Sequence, residues 1–201
     1  MKLLHIDSSL LGNKSVSRDL TAAIVAREKV LHPGLEVIYH DLVATPIQPL
    51  TPAHVATRFG NSAPTDPGVL ADIAAGDRYI DDLFAADLIV IGVPMYNLSL
   101  PTHLKAWFDR VSVVGKTFDF DDSGLPLGLL PPGKKTFVVT TSGGVYSEGP
   151  LPPFLDYQEA IVNTLLNFLG LSDIITFRVE ATPTRPENIA ATRVKIAALV
   201  V

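Results

Sequence analysis

Three stretches of this chain hold side chains suited to gripping a ligand. The first runs from Asp7-Ser8-Ser9 through Gly12-Asn13-Lys14 to Ser15-Val16-Ser17-Arg18. The second is Pro94-Met95-Tyr96-Asn97-Leu98-Ser99-Leu100-Pro101, and the third is Thr141-Ser142-Gly143-Gly144. In the first, hydroxyls crowd the point where an amphipathic helix begins. Unpaired N–H groups and the positive end of the helix dipole gather there, so Ser9, Ser15 and Ser17, with the main chain at Val16, suit a phosphate dianion. A single serine at such a place is more commonly an N-cap. The second stretch is a turn braced by two prolines that presents an aromatic ring, an amide and free backbone groups. Met95, Tyr96, Asn97 and Leu98 suit the edge of a flat heteroaromatic ring, or else Tyr96 packs on a neighbour. In the third, Thr141, Ser142, Gly143 and Gly144 allow close backbone approach to a ligand, although a Gly-Gly pair alone reads as an ordinary flexible turn.

These stretches need elements to carry them. Strand-length apolar runs occupy 2–7, 36–41, 87–94, 135–142 and 174–180, and helix-compatible segments fill 17–31, 67–86, 101–113, 153–169 and 186 onward. The runs at 87–94 and 135–142 are apolar almost throughout, as expected of central parallel strands covered on both faces. The expected fold is a flavodoxin-like, doubly wound α/β domain spanning 1–201, with five parallel strands in the order 2-1-3-4-5 and helices on both faces. In such a sheet, ligands sit beyond the carboxyl ends of the strands. The three stretches follow the first, third and fourth strands, which places them on one rim. Neither a Walker A sequence nor a G-x-G-x-x-G fingerprint follows the first strand, so FMN, with its single phosphate, is a better candidate than a nucleoside triphosphate or a dinucleotide. Two proline-rich insertions, 46–67 and 121–133, are placed to cover the site.

Composition narrows the remaining classes. The 201 residues include no cysteine, which excludes disulfides, thiolate metal ligands and cysteine nucleophiles and leaves redox chemistry to a bound cofactor. A net charge of −5 without Lys/Arg clusters argues against a nucleic-acid or anionic-membrane surface. No stretch has the length of a membrane span, and the start of the chain lacks a signal-peptide core, so a cytoplasmic protein is expected. The histidines at 5, 32, 40, 54 and 103 show no metal-ligand spacing, and no G-x-S-x-G elbow is present. Neither a metal nor a catalytic side chain is therefore assigned. Trp107 and Phe108 read as core packing or as an interface anchor.

Ser9, Ser15-Val16-Ser17, Pro94-Met95-Tyr96-Asn97 and Thr141-Ser142-Gly143-Gly144, in this order and spacing, resemble the flavin loops of the FMN-dependent NADH azoreductases, also described as NADH:quinone oxidoreductases. The resemblance extends to Asp41-Leu42 before Pro46-Ile47, to Leu104-Lys105-x-Trp-Phe-Asp, to Lys116-Thr117-Phe118, and to Leu165 through Gly170. It implies one non-covalent FMN per subunit of a homodimer, NADH or NADPH as donor, and ping-pong hydride transfer through flavin N5. Quinones or planar aromatic azo compounds would be the acceptors. Phe59, Phe120 and Tyr146 are the expected substrate neighbours, each in or beside a loop able to close over the rim. The chain departs from the family pattern at Thr141-Ser142, where Ser-Arg is common, and at Phe120, where a phenol occurs. The alternative is an FMN-carrying electron-transfer module without nicotinamide-linked turnover.

Overall fold

The structure, a computed structural model, describes residues 1–58, 66–148, 152 and 155–200. Apolar runs form β1 (Lys2–Asp7), β2 (Glu36–Asp41), β3 (Leu88–Pro94), β6 (Lys135–Thr141) and β7 (Asp173–Val179). They pair in parallel in the order β2-β1-β3-β6-β7. Counted within this sheet, that is the order 2-1-3-4-5. The numbering shifts because two short strands, β4 (Phe118–Phe120) and β5 (Pro126–Gly128), form a separate antiparallel ribbon. Its turn and β5 lie within 121–133, read from the sequence as an insertion, whereas β4 precedes that stretch. The Asp121 carboxylate closes its turn by accepting from the Ser123 amide and hydroxyl and from the Leu125 amide at 2.7–2.9 Å.

Side-chain alternation along the strands supplies two apolar layers. Leu3, Val90, Phe137 and Val139 pack with Leu20 and Ile24 of α1 (Val16–Leu31) and Ile196 of α6 (Pro186–Ala197). Leu4, Ile6, Ile89, Ile91 and Val138 face Leu83 of α3 (Pro67–Ala85), Trp107 and Phe108 of α4 (Thr102–Val111), and Leu166 of α5 (Gln158–Phe168). Helices thus cover both faces, which is why every residue of β3 is buried. Trp107 and Phe108, fully buried edge to face with centroids 5.0 Å apart, belong to this core. They are not surface anchors.

Capping sets the helix ends. Asp66 accepts from the Gly68 and Val69 amides and Pro67 occupies the first turn of α3. At its other end Lys134 donates to the carbonyls of Phe84 and Ala86 at 2.8 and 2.5 Å, complementing the negative end of the dipole. Burial pushes the Lys134 ammonium below its ordinary pKa. A further helix, α2 (Pro52–Arg58), occupies part of the first proline-rich insertion, where the sequence reading has only a covering loop. The helix expected from 153 begins at Gln158.

Candidate functional site

β1 delivers Asp7-Ser8-Ser9 to the carboxyl edge of the sheet, and a 3-10 turn at Gly12–Lys14 leads into α1. Ser15 caps that helix: its hydroxyl accepts from the Arg18 amide at 3.3 Å and lies 3.1 Å from the Ser17 hydroxyl. The capping reading of Ser15 is therefore true, and it coexists with a hydroxyl cluster, since Ser9, Ser15 and Ser17 are all buried. Arg18 N–H goes to Ser15 Oγ and Asp19 N–H to the Ser15 carbonyl. The amides of Val16 and Ser17 then belong to the helix start that any α-helix leaves open to an anion.

Below this loop the buried Asp7 carboxylate accepts from the Thr21 hydroxyl at 2.9 Å and from Tyr39 at 3.1 Å. Burial, with Asp7 adjacent, pushes the Tyr39 phenol up to about 12, so it remains a donor. At the end of β2 Asp41 receives a two-pronged bond from Arg18, 2.7 Å on each oxygen. That hydrogen bond, reinforced by the amides of Ala44 and Val43, holds the Asp41 carboxyl at about 2. The folded pKa is depressed, so the stability it contributes is complete above the ordinary carboxylate value, near 4, and is lost as the pH falls toward 2. Acid unfolding of the wild type should show this loss over that window, and Asp41→Asn should flatten the profile there. A variant with the wild-type acid profile would contradict the assignment.

The turn after β3 meets the loop after β1. The Tyr96 hydroxyl accepts from the Leu10 amide at 2.9 Å and lies 3.3 Å from the Ser9 hydroxyl. Tyr96 and Ser99 exchange backbone bonds of 2.9 and 3.1 Å around Asn97 and Leu98, whose φ values are +50° and +70°. Two positive φ values at the centre are the signature of a type I′ turn, and for a leucine this conformation is costly. Left-handed backbone in the three loops falls at Asn97-Leu98 and, in the first loop, at Gly12, with φ +51°. Gly143 does not adopt it; there the lack of a side chain leaves open space, with nothing within 4 Å of where a Cβ would stand.

The third loop is tied to the second by a 2.7 Å bond from the Met95 amide to the Thr141 carbonyl. Gln158, buried at the start of α5, donates to the Val93 carbonyl at 2.5 Å and the Thr141 carbonyl at 3.3 Å. On the far side Glu180 accepts from the amides of Tyr146 and Ser147 and from the Ser147 hydroxyl, and Arg178 lies 3.2 Å away. Burial raises the Glu180 carboxyl, but the Ser147 hydroxyl, the two amides and Arg178 outweigh it and hold the group below its usual range.

The three loops that carry the twelve residues read as cofactor contacts thus lie on one edge of the sheet, the first linked to the second through Tyr96 and the second to the third through Met95. A cavity of about 560 Å³ opens beside the second loop, lined by Leu10, Met95, Tyr96, Asn97 and His103 among others. Of the expected substrate neighbours, Phe120 is exposed on the ribbon, with its ring edge to face on Phe118. Tyr146 follows the third loop, and Phe59 lies outside the described residues. Gln158, Glu180, Arg18 and His103 have no site role in the sequence analysis. A glutamine on the buried face of a helix start is the one available signal; Glu180 and Arg18 act through partners distant along the chain, and His103 is marked only by its place in the cavity wall. Four histidines lie 2.8–3.4 Å from a carboxylate oxygen: His5 from Asp7, His32 from Glu28, His40 from Asp82 and His54 from Asp72. Among the described residues no three His, Asp or Glu converge as a metal site, and no helix is long and apolar enough to cross a membrane.

This rim of loops on a doubly wound sheet defines a flavodoxin-like protein, and residues 1–200 match the family model described as "Flavodoxin-like fold". A protein of Sinorhizobium fredii named FMN-dependent NADH:quinone oxidoreductase is 47% identical over 90% of this chain and 85% of its own length. One of the same name from Azospirillum brasilense is 42% identical over 100% of this chain and 98% of its own. The crystal structure of an azoreductase from Bacillus anthracis superposes with a TM-score of 0.86 at 27% identity, covering 98% of this chain and 97% of that one. The chain belongs to the family of FMN-dependent NADH:quinone oxidoreductases and azoreductases.

Proposed function

We propose that this protein is an FMN-dependent NAD(P)H oxidoreductase that reduces quinones and aromatic azo compounds, as a single-domain subunit of a cytoplasmic homodimer. One observation carries the reading: Tyr96 and the Met95 amide join the loops after β1, β3 and β6 into one rim, hydroxyls at one end and a left-handed turn beside a cavity at the other. The residues fit FMN, because the buried hydroxyls stand at a helix start and Gly143 leaves open the space a Cβ would fill. Ser9, Ser15, Ser17 and the main chain at Val16 would hold the phosphate. Met95 to Leu98 and Thr141 to Gly144 would hold the ring, while Phe120 and Tyr146 would flank the acceptor. Bound there, FMN would supply the hydride chemistry that links a nicotinamide donor to a quinone or azo acceptor. The chain's own groups bind, orient and exclude water, and none need exchange a proton. The names of the relatives favour NADH as donor.

The exposed Leu10, Leu11, Phe120, Leu125 and Leu127 support pairing with a second copy. Sedimentation at twice the mass of one chain is the expected result. The purified protein should bind FMN, lose its yellow colour on anaerobic addition of NADH and regain it with a quinone. With quinone in excess it should oxidise NADH without any partner protein, giving parallel double-reciprocal lines. A protein that neither binds added FMN nor oxidises NADH would overturn the proposal, and one that binds FMN but does not turn over NADH would be an electron carrier.

A further inference from the structure

We infer that Arg18 is a positioning residue that fixes the phosphate-receiving loop by clamping the Ser9 carbonyl to Asp41, and that this clamp sets how strongly the site prefers FMN to riboflavin. The inference rests on the reading of the site as an FMN site and adds a residue that touches no ligand.

The guanidinium has five N–H groups, and the contacts account for all of them. Nε and Nη2 donate to the Ser9 carbonyl at 3.2 and 2.8 Å. Nη1 and Nη2 donate to the two Asp41 oxygens at 2.7 Å each. Nη1 also donates to the Tyr39 hydroxyl at 3.1 Å. None remains for a phosphate unless one of these bonds is given up. The charge is answered as well, by Asp41 and by Asp7 at 3.9 Å.

A cation in the first turn opposes the helix dipole, so helix stability does not explain an arginine here. Its position does: the Arg18 main-chain amide holds the Ser15 hydroxyl where the loop leaves, while its side chain holds Ser9 where the loop begins. Asp41 is itself fixed by the Val43 and Ala44 amides at 3.0 and 3.2 Å, so the loop borrows its rigidity from the end of β2. Hydroxyls and amides recognise a phosphate only if they converge before it arrives. The ring is held by other loops, so loosening the clamp costs only the part of the affinity that depends on phosphate.

The test titrates FMN and riboflavin into full-length apoprotein of the wild type, Arg18→Ala, Arg18→Lys and Asp41→Asn, following flavin fluorescence. In Arg18→Ala the FMN affinity should fall about tenfold to a hundredfold, and the riboflavin affinity should stay within about twofold. Lysine, one point charge on a flexible stem, should not restore it. Asp41→Asn separates positioning from direct contact: a clamp predicts weaker FMN binding, whereas an arginine freed to reach the phosphate predicts unchanged or tighter binding. Equal losses for both flavins, full function with lysine, or undiminished FMN binding in Asp41→Asn would each overturn the inference. A wild type that binds FMN no more tightly than riboflavin would instead sink the phosphate-site reading.

Discussion

Replacing Gly128 with alanine should lower the stability of the protein by about 3 kcal/mol or more, or detach the β4–β5 ribbon. A Cβ there would lie 2.1 Å from the Gly170 nitrogen and 2.4 Å from both the Gly170 Cα and the Leu169 carbonyl carbon. All three are backbone atoms, and no rotamer change moves them aside. Gly170 ends α5 with φ +96°, where a side chain is strained whatever the space, so neither strand nor helix end can give way. The contact docks the ribbon: the Leu130 amide donates to the Leu169 carbonyl at 3.2 Å, and the Phe118 ring lies 4.3 Å from that of Phe168. Urea unfolding followed by circular dichroism measures a global loss, and limited proteolysis within 118–128 measures release of the ribbon. Phe120 rides on the ribbon, so quinone turnover should fall with it. Gly143→Ala is the contrast: with nothing within 4 Å of its Cβ, it should change stability by no more than about 0.5 kcal/mol while weakening FMN binding. A Gly128→Ala protein as stable and protease-resistant as the wild type would refute the docking argument.

Gly92→Ala should cost about 2–4 kcal/mol and weaken FMN binding together. Gly92 lies in β3 beside Asp7, and its Cβ would come 2.9 Å from Asp7 Oδ1, 3.3 Å from Thr21 Cγ2 and 3.6 Å from Ser17 Cβ. Asp7 cannot retreat without loosening its bonds from Thr21 and Tyr39, and a buried carboxylate stripped of donors is expensive. If Asp7 moves, Thr21 on α1 is disturbed with it, and Ser17, which the new methyl would touch, belongs to the hydroxyl cluster. Denaturant midpoints and FMN titration on the same preparation should therefore shift in the same direction. Loss of stability with unaltered FMN affinity would show that the sheet beneath the loop does not position it.

Much of the fold and of the rim is legible in the sequence. Burial on both faces of a parallel strand demands an apolar run, so β3 and β6 are visible by composition alone. Turn chemistry and hydroxyls concentrate where helices begin, so the three loops of the rim are visible as well. The ribbon is not: Phe118-Asp119-Phe120 and Pro126-Leu127-Gly128 are three residues each, too short for periodicity to show, and they are held by the docking of Gly128 on Gly170. Helix α2 is hidden because the prolines and threonines around it read as loop.

Periodicity, capping and composition act within a few residues of one another. They are enough to specify the class of fold, the three loops of the rim and, through the absence of cysteine, the dependence of any redox chemistry on a cofactor. Other features exist only once the chain is folded: Tyr96 linking two of the loops, the strained backbone at Asn97-Leu98, and Arg18 held between Ser9 and Asp41. The side-chain contacts of Tyr96 and Arg18 join residues from 9 to 87 positions apart, and their geometry follows from the register of β1 against β2 and β3, which no local pattern encodes.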